Sequence, residues 1–272
     1  MESIDILLQG IYDDYTEELI SHYLQLSFVN QIVVSFGPND MEPKGTDRVI
    51  YIRNEYPSNP GTGNRNLQLV TSINGLDAIT TDYAVKIRSD QKYSLKCMED
   101  MWKYFLDNRV CDLSFEDLDS GPHGSIITGG NFAPFPFHPR DHIFRGHIND
   151  LINLFNIPLE EKSFSEVYGL SKFYESFFYD KHIRTECYIG SHYCSKFNSR
   201  IKKFLEEPEN YLHDHSQHRD EAMKLSKEIT HKIFKPVPEE CIEMEWPKYG
   251  WDSYRFDSQR KVFGERWAAD FS

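Results

Sequence analysis

The 272-residue chain has no Cys-x-x-Cys pair, no excess of basic residues, no long apolar run and no internal repeat. Its five cysteines, Cys97, Cys111, Cys187, Cys194 and Cys241, form an odd set, so neither a disulfide framework nor a thiolate zinc site is expected. If Cys187 and Cys194 share one helix, they stand about 10 Å apart, too far for a disulfide. A reducing compartment fits. Lys and Arg number 30 against 43 Asp and Glu, a net charge of −13, which argues against nonspecific binding to nucleic acid or to an anionic membrane. An anionic substrate then needs a local cationic pocket. Nothing approaches the ~18 apolar residues of a membrane span, and the opening MESIDILLQG lacks the basic and long apolar parts of a secretion signal. The expectation is a cytoplasmic protein without a transmembrane segment.

What is present is an ordinary globular composition, 39% hydrophobic and 27% charged, with an aromatic share of 14% that core packing accounts for more readily than ligand stacking. A chain of this length can bury a full core. IDILLQG (4–10) is a short apolar run ending in Gly, the pattern of a buried parallel strand. DYTEELISHYLQL follows as a helix, with Asp14 and Glu17 as its capping box. QIVVSF (31–36) and DRVIYIR (47–53) supply two more strands, and a polar loop leads to a helix carrying Leu69, Val70, Ile73 and Leu76. Strand and helix alternate, so the expected fold is α/β with a mainly parallel central sheet flanked by helices.

The fourth strand, YAVKIRSDQKY (83–93), poses a question: it begins as a core strand and ends in Arg88, Ser89 and Asp90. Alternation puts Tyr83, Val85 and Ile87 on one face and Lys86, Arg88 and Asp90 on the other. In parallel sheets ligands sit beyond the carboxyl ends of the strands, where Gln9-Gly10, Arg53-Asn54 and Arg88-Asp90 all fall. The alternation then weakens. Ser94 caps a helix with Leu95, Met98, Met101, Trp102 and Phe105 on its core side; GSIITGG is a strand, HINDLINLF a short helix. Thr185 starts a helix in which Tyr193, Phe197, Ile201 and Leu205 recur every four residues, a last helix lies around 220–233, and the tail after Pro236 reads as irregular.

ILLQG, GNRNLQLVTSINGL (63–76), YAVKIRSDQ (83–91) and HPRDHIFRGHINDL (138–151) together resemble the WavE lipopolysaccharide synthesis family. The resemblance implies a glycosyltransferase of the GT-A type, with a Rossmann-like half and a helical C-terminal portion: residues 1–106 would bind a nucleotide sugar, 107–235 would bind the acceptor, and 236–272 would form the tail. It implies a function in surface polysaccharide synthesis, transferring sugar from a nucleotide-sugar donor to a glycan or lipid-linked glycan acceptor. Carried over by position, Gln9 and Gly10 flank the nucleotide, Asn64 and Arg65 start a helix near its phosphates, Lys86 and Arg88 add positive charge, and Asp90 faces a divalent cation, Mn²⁺ or Mg²⁺, or the diphosphate itself. Arg-Ser-Asp stands where the wider fold often has Asp-x-Asp, which leaves metal dependence open. His142 is a second candidate ligand for that cation.

Inverting transfer needs a general base. Asp141, Asp150 and Glu186 are the candidates, with Asp141 favoured because His138, Arg140 and His142 frame it; Asp150 and Glu186 read equally well as helix-start acids. The stretch HDHSQH (213–218) reads as a solvated loop rather than a zinc site. Two other functions compete. A sugar-phosphate nucleotidyltransferase would want a Gly-rich, Arg-containing loop after the first strand, whereas QGIYDDYTEEL offers one Gly among acids. A non-catalytic glycan- or nucleotide-binding module would use the same pocket without turnover.

Overall fold

The computed structural model describes residues 2–108, 122–129, 137–161, 184–206, 215–237, 242–247 and 251–255. Cys111, Cys241 and His213 lie outside the described residues, as do the side chains of His215 and His218. A seven-stranded sheet forms the centre, in the order β3-β2-β1-β4-β7-β6-β8, with β1 Ile4–Gln9, β2 Val29–Phe36, β3 Val49–Arg53, β4 Tyr83–Arg88, β6 Ile126–Thr128, β7 Ile143–His147 and β8 Phe234–Pro236. Pairing is parallel from β3 through β4 and between β6 and β8; β7 runs against both of its neighbours. The expected α/β architecture with a mainly parallel sheet is therefore the observed one.

β1 is buried along its whole length, which is why it reads as a continuous apolar run instead of an alternation. Its even residues Ile4, Ile6 and Leu8 join Val85 and Ile87 of β4 in one core, under α1 (Asp14–Tyr23) and α3 (Leu95–Asn108). Leu7, Val33 and Ala84 face a second core built with α2 (Arg65–Leu76), α4 (Ile148–Phe155), α5 (Thr185–Ser195), α6 (Ser199–Glu206) and α7 (His215–Ile233). Each fully buried Ile, Leu or Val in these layers contributes roughly 1.5–3 kcal/mol.

Local chemistry sets most boundaries. α1 is capped by Asp13, whose carboxylate accepts from Thr16 N at 3.0 Å while the Thr16 hydroxyl accepts from Asp13 N at 3.4 Å, so the box is one residue earlier than expected. Ser94 caps α3 as expected, its Oγ accepting from Cys97 N at 3.1 Å. The row Tyr193 to Leu205 is two helices, because the Asn198 side chain accepts from Arg200 N and Ile201 N and restarts the chain as α6. The tail departs from its reading as irregular: β9 (Glu243–Trp246) pairs antiparallel with β10 (Trp251–Arg255) and with β5 (Lys92–Tyr93). This small sheet brings Trp246 to the carboxyl edge of β4, its ring 5.5 Å from the Arg88 guanidinium.

Candidate functional site

The chain leaves β1 toward β2 and β3, then returns through α2 to β4 on the other side of β1. The strand order reverses there, and in sheets of this kind the ligand crevice lies at that point, beyond the carboxyl ends of β1 and β4. Gln9 and Arg88 are register partners at that edge, and Ser89 N donates to Gln9 O at 2.9 Å. Gly10 turns the chain out with φ 145°, and a Cβ on it would stand 2.5 Å from Ser89 Oγ. Only glycine fits both demands. Gln9 faces inward, donating to Thr71 Oγ1 at 2.9 Å; Ser35 Oγ donates to Thr71 O at 2.6 Å, and Asn54 Nδ2 donates to Ser35 Oγ at 2.9 Å. This buried network fixes three strand ends to α2.

Charge concentrates on one wall. Arg88 grips Asp90 with a two-pronged contact, Nε to Oδ1 at 3.0 Å and Nη2 to Oδ2 at 2.9 Å, and its Nη1 reaches Asp141 Oδ2 at 3.4 Å. Gln68 Nε2 donates to the same Asp141 oxygen at 3.2 Å. Burial pushes the Asp141 carboxyl up, but Arg88, His142 and Lys86 outweigh it and hold the group well below the usual carboxylate range. A carboxyl held in this way is a weak proton acceptor. Lys86, two residues before Arg88 on the same face, is fully buried between the rings of Phe155 and Phe144, at 5.4 and 5.9 Å. Its Nζ has no hydrogen-bond partner among the described residues, and burial lowers it to about 8.

Glu186 has the opposite character. It lies in the first turn of α5 with its side chain 25% exposed, and burial followed by the charge of Asp141 pushes its carboxyl up to about 7. His138 Nε2 stands 3.7 Å from Glu186 Oε2; burial brings this imidazole down to about 3, which favours its neutral form. Gly190, one turn beyond Glu186, allows the approach: a Cβ there would come within 2.0 Å of Phe137 O. Helix α5 thus packs directly on the segment that carries His138 and Asp141.

Arg65 and Asn64 are placed differently from the phosphate-facing expectation. Arg65 is fully buried, paired with Glu160 at 3.2 Å and lying 4.2 Å from the Tyr188 ring centroid. Glu160 also accepts from Thr62 N and Thr62 Oγ1 at 2.5 and 2.8 Å. The guanidinium therefore ties the start of α2 to α5 and offers no free donor face to a ligand. Asn64 is exposed in the left-handed region, φ 62°. Asp150 is separated from the crevice. It follows β7, which runs antiparallel, so it stands at the amino edge of the sheet and accepts from His123 N at 3.0 Å and Gly124 N at 2.9 Å. His142 is on the correct edge, but its Nδ1 is engaged by Gln91 Nε2 at 2.8 Å. Among the described residues, the group of three potential ligands close enough for a metal ion is His123, His147 and Asp150, and it contains neither Asp90 nor His142. Gln68, Gln91 and Trp246 joined the site without any local sequence signal.

The model of the family described as WavE lipopolysaccharide synthesis matches residues 40–226. The chain belongs to this family. The match spans α2, the Arg88–Asp90 strand end, the His138–His142 segment and Glu186. No curated protein matches. Among solved structures, the 4-diphosphocytidyl-2C-methyl-D-erythritolsynthase of Anaerococcus prevotii overlaps 57% of this chain and 75% of its own, at 7% identity and TM-score 0.38. The bifunctional IspDF of Campylobacter jejuni overlaps 59% of this chain and 44% of its own, at 11% identity and TM-score 0.35. HddC from Yersinia pseudotuberculosis overlaps 63% and 86%, at 14% identity and TM-score 0.33. No helix among the described residues is long and apolar enough to cross a membrane.

Proposed function

We propose that this WavE family member is a glycosyltransferase that moves a sugar from a nucleotide-sugar donor to a glycan or lipid-linked glycan acceptor in surface polysaccharide synthesis. The observation that carries the reading is the geometry at the point where strand order reverses: Arg88 forks onto Asp90 and reaches Asp141, and Glu186, an acid that burial pushes up, stands 3.7 Å from His138 of the same segment. Glu186 is the general base: near neutral pH it is part ionised, and it accepts the acceptor hydroxyl's proton as the oxygen attacks the anomeric carbon. The bond to the leaving nucleoside diphosphate breaks with its electron pair on the diphosphate oxygen. Arg88 lies on the wall that this charge faces, and the buried Lys86 behind it adds positive potential.

The charges on that wall nearly cancel, since Arg88 is matched by both Asp90 and Asp141. A diphosphate therefore needs further positive charge. Asp90, 28% exposed, and Asp141 offer the oxygen donors that Mg²⁺ or Mn²⁺ prefers, whereas the engaged imidazole of His142 does not. Such an ion would supply neutralisation of the diphosphate, with Asp90 and Asp141 holding it.

The test is incubation of the purified protein with a panel of nucleotide sugars, with and without Mn²⁺, in the presence of glycan acceptors. Release of nucleoside diphosphate together with glycosylated acceptor is expected, and it should vanish in Glu186→Gln. Donor binding without release would make the protein a binding module. Pyrophosphate released from a nucleoside triphosphate and a sugar phosphate would make it a nucleotidyltransferase.

A further inference from the structure

At the amino edge of the sheet, three side chains that the crevice does not use meet from three backbone stations. His147 ends β7, Asp150 lies in the first turn of α4, and His123 precedes β6. One ligand atom from each lies within 4.8 Å of the others. We propose that His123, His147 and Asp150 bind a divalent transition-metal ion, of the zinc or cobalt class, at a site separate from the crevice.

Three features carry the assignment. Two imidazoles and one carboxylate form a donor set suited to such ions and unsuited to Mg²⁺, and three protein ligands leave further positions to water. Asp150, 1% exposed, is held in place because its two oxygens accept from His123 N and Gly124 N, the outer-shell support that metal-ligating carboxylates normally have. Oδ1 also meets His123 Nδ1 at 3.4 Å, a contact the ion would replace, and Oδ2 keeps a second lone pair for the ion. His123 is 56% exposed, which gives an entry path and freedom to rotate. Bonds of ~2.1 Å in a tetrahedral shell place ligand atoms about 3.4 Å apart, the separation that His123 Nδ1 and Asp150 Oδ1 already have, so the cluster contracts by at most about 1.4 Å. The two rings now stack at 4.9 Å with an 8° interplanar angle, and His147 Nδ1 accepts from Asn149 N at 3.2 Å. Binding swings His123 off the stack, and where the ion takes His147 Nδ1 it displaces the Asn149 contact.

Tyr83 is the register partner of His147, and β4 runs from Tyr83 to Arg88, a rise of about 16 Å. The bound ion therefore fixes the segment before β6 onto α4 and takes no part in crevice chemistry.

The experiment is calorimetric titration of the full chain, stripped of metal, with Zn²⁺, and absorption spectroscopy with Co²⁺. One saturable site per chain is expected, with the visible bands of low-coordinate cobalt. His123→Ala, at an exposed position that leaves the Asp150 backbone contacts intact, should weaken it at least tenfold, and His147→Ala likewise. Asp90→Asn in the crevice and His218→Ala in the histidine-rich stretch should leave it unchanged. Zn²⁺ binding that survives His123→Ala unchanged, binding lost in Asp90→Asn or His218→Ala, or no saturable binding at micromolar Zn²⁺ would each overturn the proposal.

Discussion

Replacing Glu186 by Gln gives the chain permanently what burial favours, an uncharged group of the same shape. In the folded protein the Glu186 carboxyl is pushed from its ordinary 4.5 up to about 7, by burial first and by Asp141 second. The unfolded chain releases this proton near its ordinary value, while the folded chain keeps it until near neutrality. Across that window the unfolded state binds fewer protons, so this group's contribution to stability is present at acid pH and is lost as pH rises through about 7. At ~1.4 kcal/mol per unit the whole shift amounts to about 3 kcal/mol, a ceiling, since the side chain is 25% exposed. Denaturant unfolding at pH 4, below the ordinary value of 4.5, should find wild type and Glu186→Gln nearly alike. At pH 8.5 the variant should be the more stable by roughly 1–3 kcal/mol. Activity should run the other way: wild-type kcat/KM climbs with pH through about 7, and the variant loses on the order of 100-fold or more with donor binding little changed. A variant that is less stable at pH 8.5, or offset equally at both pH values, would refute the account of Glu186 as a strained acid.

Asp90→Ala should abolish transfer and leave the fold intact, because the Arg88–Asp90 pair is partly exposed on both sides and such pairs contribute about 1 kcal/mol or less; denaturant unfolding and the donor assay together check this, and wild-type turnover would remove Asp90 from the site. Gly10→Ala should cost about 1–3 kcal/mol from its φ of 145° and its contact with Ser89 Oγ. Adding Ser89→Gly should recover the contact part, so strictly additive losses in the double variant would show that the contact is not the cause. Gly190→Ala should cost about 3 kcal/mol or prevent folding, since its Cβ meets the Phe137 carbonyl and not a movable side chain; circular dichroism of the expressed protein reads the outcome.

The first four strands were legible because they are short apolar runs separated by loops, buried in β1, β2 and β4 and half-buried in β3, and such runs have few alternatives. The cap of α1 was legible only to within one residue: Asp13 and Asp14 both qualify, and the burial of Thr16 against the loop from Ile11, whose carbonyl its hydroxyl contacts at 2.9 Å, selects Asp13. Arg65 could not be read correctly from its neighbours. Its partner Glu160 lies far along the chain, and the left-handed residue before it points the helix start into the protein. β9 and β10 had no local signal, for EMEW becomes a strand only where β5 offers it an edge.

One strand direction decides which polar residues of the second half share the crevice. The sequence places HPRDH before the strand IFRGH and INDL after it, with candidate acids on both sides. Had β7 run parallel to β4, the residues after it would have emerged at the carboxyl edge, and Asp150 would have been the acid beside Arg88. Because β7 is antiparallel, with Ile143 opposite Ile87 and His147 opposite Tyr83, the residues before it are delivered to the crevice. His138, Asp141 and His142 therefore gather beside Arg88, while His147 and Asp150 are carried to the opposite edge to meet His123. Nothing in the alternation of apolar and polar residues encodes this direction, since both orientations bury the same faces. It follows from the connections on either side of β7, and so the division of the polar residues between two edges of the sheet is a property of the topology.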